Sequence, residues 1–224
     1  MKLRHLQLLL SAVLLCVLKA GAQQPAPPRD DTQLWTETQF IVPLKERTDL
    51  IFIGSLRFGR NVHHVTDERA GVAIAHRLNS HLSVQSTYQY IAQQPFEGQK
   101  RFEHRLSTDL TLRFRLGGFT LTDRNRIEYQ IRHSRANRWI YRNQLRLEHP
   151  VGPNEWKFKV FISDEVFYSS DADAWTRNRI SVGAGREFSK RFGAEFFYFR
   201  QQDGFSRPGN LQVFGTSFKI RLRD

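Results

Sequence analysis

The chain has 224 residues, with 34 Lys and Arg against 22 Asp and Glu, which gives a formal net charge of +12. A hydrophobic content of 40% excludes wholesale disorder. Beyond the N-terminal region no apolar run reaches about 18 residues, which excludes a helical membrane protein. The only cysteine is Cys16, so we expect neither a disulfide nor thiol chemistry downstream of it.

The first 22 residues have the three parts of a secretory signal: a basic start, an apolar stretch over 6–18, and a small-residue end. Ala20 and Ala22 occupy the cleavage positions, so we predict removal of 1–22 during export. Loss of the three basic residues within it leaves a charge of +9. The Pro-rich residues 23–31 are predicted to form a flexible leader, and 32–224 a single domain.

Apolar residues in the remaining chain recur with the period of two that is typical of β-strands. In the fifth such segment, for example, Leu106 and Leu110 share one face, whereas Glu103 and Asp109 share the other. No segment carries a helical stripe, so we predict an all-β protein. The eleven predicted strands are 32–43, 48–60, 69–78, 82–90, 102–114, 119–132, 139–149, 156–168, 176–187, 192–201 and 210–222.

The predicted connectors alternate in length, and this alternation is typical of bacterial outer-membrane barrels. Short turns are expected near 44–47, 79–80, 116–118, 150–155 and 188–191. Longer polar loops are expected near 60–68, 92–101, 133–138, 169–175 and 202–209. We therefore predict an antiparallel up-and-down β-barrel of ten to twelve strands, of the transmembrane outer-membrane type.

The place of the first predicted strand, 32–43, depends on how many strands the barrel wall contains. If the short turns and the mature N-terminus are periplasmic, the segments from 48–60 to 210–222 close a ten-stranded barrel. Residues 32–43 are then either an extra wall strand with an unrecognised twelfth partner or a segment inside the lumen. The sequence leaves both alternatives open.

Alternation alone does not distinguish a membrane barrel from a soluble one, because either face can point inward. The export signal, an Arg- and Glu-rich polar face, and aromatic residues near strand ends favour a membrane barrel with a polar lumen. The aromatic residues that we expect at the membrane interfaces are Trp139, Trp156, Trp175, Tyr90, Tyr141 and Tyr168.

Other residues favour a soluble barrel. Asp123, Asn125, Asn143, Asp164 and Asn178 lie on the nominally lipid-facing pleat, and the chain ends without the usual terminal aromatic residue. Three explanations are open: a bulge that shifts the register, a protein contact that covers these residues, or a wrong membrane assignment. The function that we predict is that of an outer-membrane β-barrel with a narrow Arg- and Glu-lined lumen, in a structural role or as a minor anion-preferring channel. The alternative is a soluble periplasmic β-barrel that binds an anionic or lipidic ligand.

Five short motifs occur in a recognisable order along the chain. They are Asp31-Thr-Gln33-Leu-Trp35, Asp123-Arg124-Asn-Arg126-Ile-Glu128, Tyr141-Arg142-Asn-Gln-Leu-Arg146, Ser163-Asp164-Glu165-Val-Phe167, and Asn178-Arg179 before a Gly-rich strand. With this order and spacing, residues 31–222 resemble the bacterial domain-of-unknown-function family DUF2490. The resemblance implies an exported outer-membrane β-barrel and implies no established activity.

The strongest candidate site is a set of charged residues on one pleat of adjacent strands. Guanidinium groups bind carboxylates in bidentate pairs, so these residues either fill a narrow lumen as an ion-pair network or form an anion-binding constriction. The predicted lumen residues are Arg124, Arg126, Glu128, Arg142, Arg146, Glu148, Glu165 and Arg179.

Other chemistry has weaker support. The loop residues His63, His64, Asp67 and Glu68 are of metal-ligating types but lack fixed geometry, so we expect no metal and no cofactor. His133 and Ser134 are the types that lipid hydrolases use, but nothing orients the histidine, and we expect no enzyme.

The expected location is the bacterial outer membrane. The expected partners are outer-membrane lipids and lipopolysaccharide, together with the barrel-assembly machinery during biogenesis. We expect no nucleic acid partner, because the arginines are spread over many strands and the chain is exported. The sequence does not indicate the oligomeric state.

Overall fold

The computed structural model describes residues 28–153 and 158–222, which contain eleven strands and no helix. Each strand coincides with one of the eleven predicted segments. The strands are β1 (Asp30–Lys45), β2 (Thr48–Gly59), β3 (His64–Arg77), β4 (Leu82–Gln93), β5 (Arg101–Leu116), β6 (Phe119–Arg132), β7 (Arg138–Val151), β8 (Phe158–Ser169), β9 (Ala174–Glu187), β10 (Phe192–Asp203) and β11 (Asn210–Arg221). The predicted signal and most of the predicted leader lie outside the described residues.

The strands form one closed barrel in which sequence neighbours pair antiparallel. The barrel closes where β1 pairs with β11 in parallel, from Asp30 opposite Asn210 to Ile41 opposite Arg221. The prediction of a barrel of ten to twelve strands is thus confirmed, with eleven strands in the wall that the described residues form. The first segment is a wall strand, so the alternative that it lies inside the lumen is wrong, and this described wall contains no twelfth partner for it. An odd number of strands departs from the even numbers usual in bacterial outer-membrane barrels and makes the closing pair parallel.

The connectors lie at two ends of the barrel, which we call the loop end and the turn end. The loop end carries residues 60–63, 94–100, 133–137, 170–173 and 204–209, and the turn end carries the turns at 46–47, 78–81, 117–118 and 188–191 and the connector that follows β7. These loops are shorter than predicted, because cross-strand pairing continues into polar residues; His64, for example, still pairs with Gly59. β1 begins at the loop end and β11 finishes at the turn end.

The two faces of the wall differ in polarity. Ile162, Ile180 and Phe196 point outward and are 52%, 55% and 59% exposed, whereas Glu128 and Glu165 point inward and are buried. The apolar pleat is thus the exterior, as in transmembrane barrels. The soluble alternative, in which this pleat is the core, has the wrong orientation. Among the described residues, no helix is long and apolar enough to cross a membrane.

Aromatic residues lie on the exterior at both ends of the barrel. Trp139 stacks near Tyr129, and Trp175 contacts both Tyr141 and Tyr168, all toward the loop end, where Tyr90 also lies. At the turn end, exterior rings pair mainly as phenylalanines, such as Phe192 with Phe188 and Phe218. Trp156, the sixth residue expected at an interface, lies outside the described residues.

The five polar residues predicted on the apolar pleat do lie on the exterior. The β6–β7 and β7–β8 pairings are unbroken, and the single bulge between β8 and β9 lies beyond the polar positions, at Phe167 and Tyr168. A register shift is therefore not the explanation. An aspartate at the centre of a membrane-spanning segment costs about 2.5–3.5 kcal/mol, so its retention there calls for a partner.

Candidate functional site: a charged lumen

Glu165 on β8 is the centre of the charged interior. Its Oε1 accepts hydrogen bonds from Arg124 Nη2 at 2.8 Å and from Arg142 Nη2 at 2.7 Å. Its Oε2 lies 3.5 Å from Arg179 Nη1. Three guanidinium groups from β6, β7 and β9 thus converge on one carboxylate that is 4% exposed.

Glu128 on β6 is a second buried carboxylate, and Arg142 joins it to Glu165. Arg142 Nη1 donates to Glu128 Oε1 at 2.6 Å, while Gln130 donates to the other oxygen at 3.0 Å. Arg105 and Arg126 lie at 3.6 Å and 3.7 Å from the same carboxylate. Charge-assisted bonds of this type are shorter and stronger than neutral ones, so the cluster braces adjacent strands.

The network includes four carboxylates that were not among the predicted lumen residues. Glu103 accepts from Arg105 at 2.7 Å. Asp109 accepts a bidentate pair from Arg126 at 2.6 Å and 2.7 Å. Asp67 accepts from Arg69, and Asp203 lies 2.6 Å from Arg177. Each of these carboxylates lies at a position whose side chain points into the lumen. The alternation of inward and outward side chains along each strand is therefore the sequence pattern that could have identified them.

The sequence-predicted residues form two groups. Arg124, Arg126, Glu128, Arg142, Glu165 and Arg179 all belong to the central network. Arg146 and Glu148 instead form a separate cluster toward the turn end, where Arg146 Nη2 lies 3.0 Å from Glu148 and 2.6 Å from Glu195 on β10. The Arg146 guanidinium also lies 3.5 Å from the Phe161 ring centroid.

Trp35 on β1 brings an aromatic surface into the charged interior. The Arg57 guanidinium carbon lies 3.4 Å from its ring centroid, and Phe199 contacts it edge-on at 4.9 Å. Its Nε1 donates to Gln33 at 2.7 Å. Arg57 is 3.8 Å from Asp67, and its buried Nε has no hydrogen-bond acceptor among the described residues. This guanidinium is held mainly by the ring.

The barrel interior contains a cavity of about 1710 Å³. Its walls extend from Phe96 at the loop end to Pro150 at the turn end, past the central network. The lining includes 19 Arg and Lys residues and 11 Asp and Glu residues. The interior therefore carries an excess of positive charge.

The excess positive charge of the cavity is most exposed to solvent at the turn end. Arg113, Arg115, Lys159 and Lys219 line the cavity there, and all four are exposed. We call these four residues the basic vestibule.

At the loop end, Asp171 is the acceptor of a smaller cluster. Its carboxylate accepts from Ser169 at 2.5 Å, from Arg132 at 3.1 Å and from Arg138 at 3.3 Å. Partial desolvation acts to raise the pKa of Asp171, but the serine hydrogen bond and the two guanidinium groups outweigh it and lower that pKa below its usual value. The cluster ties two loops together.

The remaining candidate residues do not converge. Asp67 points inward to Arg69, whereas Glu68, His63 and His64 are exposed. Within the described residues, no group of three His, Cys, Asp or Glu side chains is arranged to hold a metal ion.

His133 and Ser134 lie in the β6–β7 loop, and Ser134 has a left-handed backbone with a φ of 64°. His133 lines the loop-end mouth of the cavity. The absence of enzymatic activity stays a prediction.

Residues 32–211 match the sequence profile of a family described as "Protein of unknown function (DUF2490)". The chain belongs to this family. The match covers the wall from β1 into β11 and confirms the resemblance seen in the ordered motifs. Comparison of the DUF2490 chain with curated protein sequences finds no match.

The solved structures that resemble the DUF2490 barrel include LpxR and a porin. LpxR from Salmonella typhimurium superposes with a TM-score of 0.52 at 10% sequence identity, over 78% of this chain and 83% of LpxR. An anion-selective porin from Comamonas acidovorans gives a TM-score of 0.41 at 13% identity, over 79% of this chain and 54% of the porin. At these identities the LpxR likeness supports the fold alone, and the porin likeness is too low to support an argument.

Proposed function

We propose that the DUF2490 barrel is an outer-membrane protein with a narrow, anion-preferring lumen that the arginine–carboxylate network both braces and constricts. The observation that carries the proposal is the excess of Arg and Lys over Asp and Glu along the cavity. Positive charge in a low-dielectric passage raises the local concentration of anions and lowers that of cations.

The central network and the basic vestibule contribute to this role in different ways. In the central network, carboxylates such as Glu165 and Asp109 neutralise the arginines. The network therefore contributes more to the rigidity of the barrel than to the positive electrostatic potential of the lumen. The buried Nε atoms of Arg57 and Arg124 have no hydrogen-bond acceptor among the described residues, so these two guanidinium groups are incompletely paired within the network. The basic vestibule then sets the charge at the turn-end mouth.

The apolar exterior and its aromatic ends support a membrane location. The alternation of short and long connectors supports a periplasmic turn end and an outward loop end. We further propose that the loops contact lipopolysaccharide and that the assembly machinery inserts the chain. Membrane flotation after a carbonate wash tests the location; recovery in the periplasmic extract would contradict it.

Reversing charge in the basic vestibule is expected to reduce or invert the anion preference. We expect Arg113→Glu combined with Lys159→Glu to shift the reversal potential of purified barrels in planar bilayers under a salt gradient toward cation preference. The measurement is the permeability ratio of chloride to potassium.

The matched control is Lys45→Glu combined with Lys190→Glu, which makes the same charge change at exposed turn-end residues that do not line the cavity. This control should keep the preference of the parent barrel. Absence of any conductance in the parent barrel would remove the channel role and leave the structural one.

A further inference from the structure

A polar stripe crosses the exterior of four adjacent strands, β6 to β9. Asn143 Nδ2 donates to Asp123 Oδ1 at 2.7 Å and to Asn125 Oδ1 at 3.1 Å. Asn178 Nδ2 donates to Asp164 Oδ1 at 2.6 Å. We call these five residues the amide–carboxylate stripe.

The stripe lies within the apolar exterior and not at its margin. Its residues are four to nine positions from the loop end of their strands. On β6, Leu121 lies on one side and the exposed Ile127 on the other; on β8, the exposed Ile162 and then Val166 flank Asp164 in the same way.

Lipid chains offer no hydrogen-bonding groups at this depth, and the stripe's own bonds to Asp123 and Asp164 each use one oxygen of the carboxylate. Asp164 is exposed to whatever surrounds the barrel. The partner that fits must therefore bring both donors and acceptors to the same level of the membrane.

We propose that the amide–carboxylate stripe is the contact surface of a homodimer within the membrane, the occupant being a second copy of this chain in the same orientation. A two-fold axis along the membrane normal reverses the order of strands at the contact. With the axis between β7 and β8, β6 faces β9 of the second copy and β7 faces β8.

This arrangement makes the stripe complementary to itself. Asn143 and Asp164 each lie five positions from the loop end of their strands, so rotation about the membrane normal brings Asn143 opposite Asp164 of the second copy. Asn143 can exchange its 3.1 Å hydrogen bond to Asn125, whose oxygen also accepts from Tyr141, for a bond to that carboxylate. The exposed Asp164 carboxylate therefore meets an amide of the second copy. The contact rests on the membrane location proposed above but not on conductance.

The same strands carry two groups of exterior aromatic rings near the loop end. Trp139 and Tyr129 have centroids 4.5 Å apart, and Trp175 lies 6.2 Å from Tyr141, whose hydroxyl donates to Asn125 at 2.6 Å. The second group is continuous with the stripe, so the contact extends to the loop end. Aromatic residues beside polar pairs are typical of protein interfaces.

Cross-linking in native membranes tests the arrangement. In a Cys16→Ser background, a chain carrying only Asn143→Cys, coexpressed with a chain carrying only Asp164→Cys, should give a disulfide-linked dimer under mild oxidation, because the two positions face each other across the axis. Separate chains are used because positions 143 and 164 are diagonal neighbours on β7 and β8 of one chain. Phe52→Cys on β2, exposed and distant from the stripe, is the matched control and should stay monomeric. Equal dimer yields, or links only to a different protein, would overturn the proposal.

A second measurement separates contact from folding. Asp123→Leu, Asn143→Leu and Asp164→Leu in one chain should abolish the dimer in native mass spectrometry from lipid nanodiscs, while heat-modifiable migration in gels still reports a folded barrel. Thr36→Val with Thr216→Val removes another exterior hydrogen bond, at 3.1 Å, and should leave the dimer intact.

A parent barrel that is monomeric in the nanodiscs, or a folded triple variant that stays dimeric, would overturn the inference. Recovery of the parent chain outside the membrane would instead contradict the proposed location. The two failures are thus distinguishable.

Discussion

Replacement of Glu165 with glutamine is expected to lower the free energy of unfolding by about 3–5 kcal/mol. The carboxylate holds Arg124 and Arg142 by direct hydrogen bonds and lies near Arg179. A glutamine keeps one acceptor oxygen but turns an amide donor toward these guanidinium groups. Three buried cations would then share the remaining carboxylates, and their mutual repulsion would oppose closure of the β6–β9 wall.

The measurement is urea-induced unfolding of the barrel in phospholipid vesicles, followed by tryptophan fluorescence. Glu187→Gln is the matched control, because Glu187 is a carboxylate that lines the cavity but is exposed at the turn end. We expect a change of less than about 0.5 kcal/mol for this control. If Glu165→Gln unfolds at the parent urea concentration, the network does not stabilise the wall.

An arginine on the lipid-facing pleat is expected to be nearly as damaging. Phe196→Arg should destabilise the barrel in lipid vesicles by about 2–4 kcal/mol, the cost of a cation near the bilayer midplane. Phe196 is 59% exposed and lies in β10, away from the loops. In a soluble barrel the same change would place a cation in water at little cost.

The control is Phe205→Arg, since Phe205 is 66% exposed but belongs to the β10–β11 loop. Both variants are compared by urea titration in vesicles and by recovery in the outer-membrane fraction. We expect Phe196→Arg to lower the stability and the recovery of the barrel, and Phe205→Arg to leave both close to those of the parent. Equal stability of both variants would contradict burial of the pleat in lipid.

The local part of the fold was predictable because alternation repeats within each strand. All eleven segments, and the inward parity of residues such as Arg126 and Glu128, follow from a period of two. The closing pair was not predictable, because Leu34 and Phe214 become neighbours only after the whole wall has formed. The predicted ten-stranded wall assumed that the mature N-terminus and the C-terminus lie at the same side of the membrane. With both ends at one side, the first and last strands of the wall are antiparallel, so a parallel closing pair was not considered.

Which side chains meet across the lumen was harder to predict than which side chains point into it. Arg146 pairs with Glu195, which lies on a strand that is not its neighbour. Such a contact depends on strand tilt and barrel width, neither of which alternation reports. Trp35 was likewise not predicted to stack on Arg57, because the sequence left its strand unplaced.

The parallel seam between β1 and β11 also governs how the barrel can form. It joins residues 180 positions apart, as in the Thr36–Thr216 hydrogen bond, and so has a far higher contact order than the other ten strand pairs. Until β11 arrives, β1 and the last strand in place both expose unpaired backbone edges. We therefore expect closure to be the last step of folding, and we expect a chain truncated before β11 to remain an open sheet prone to aggregation.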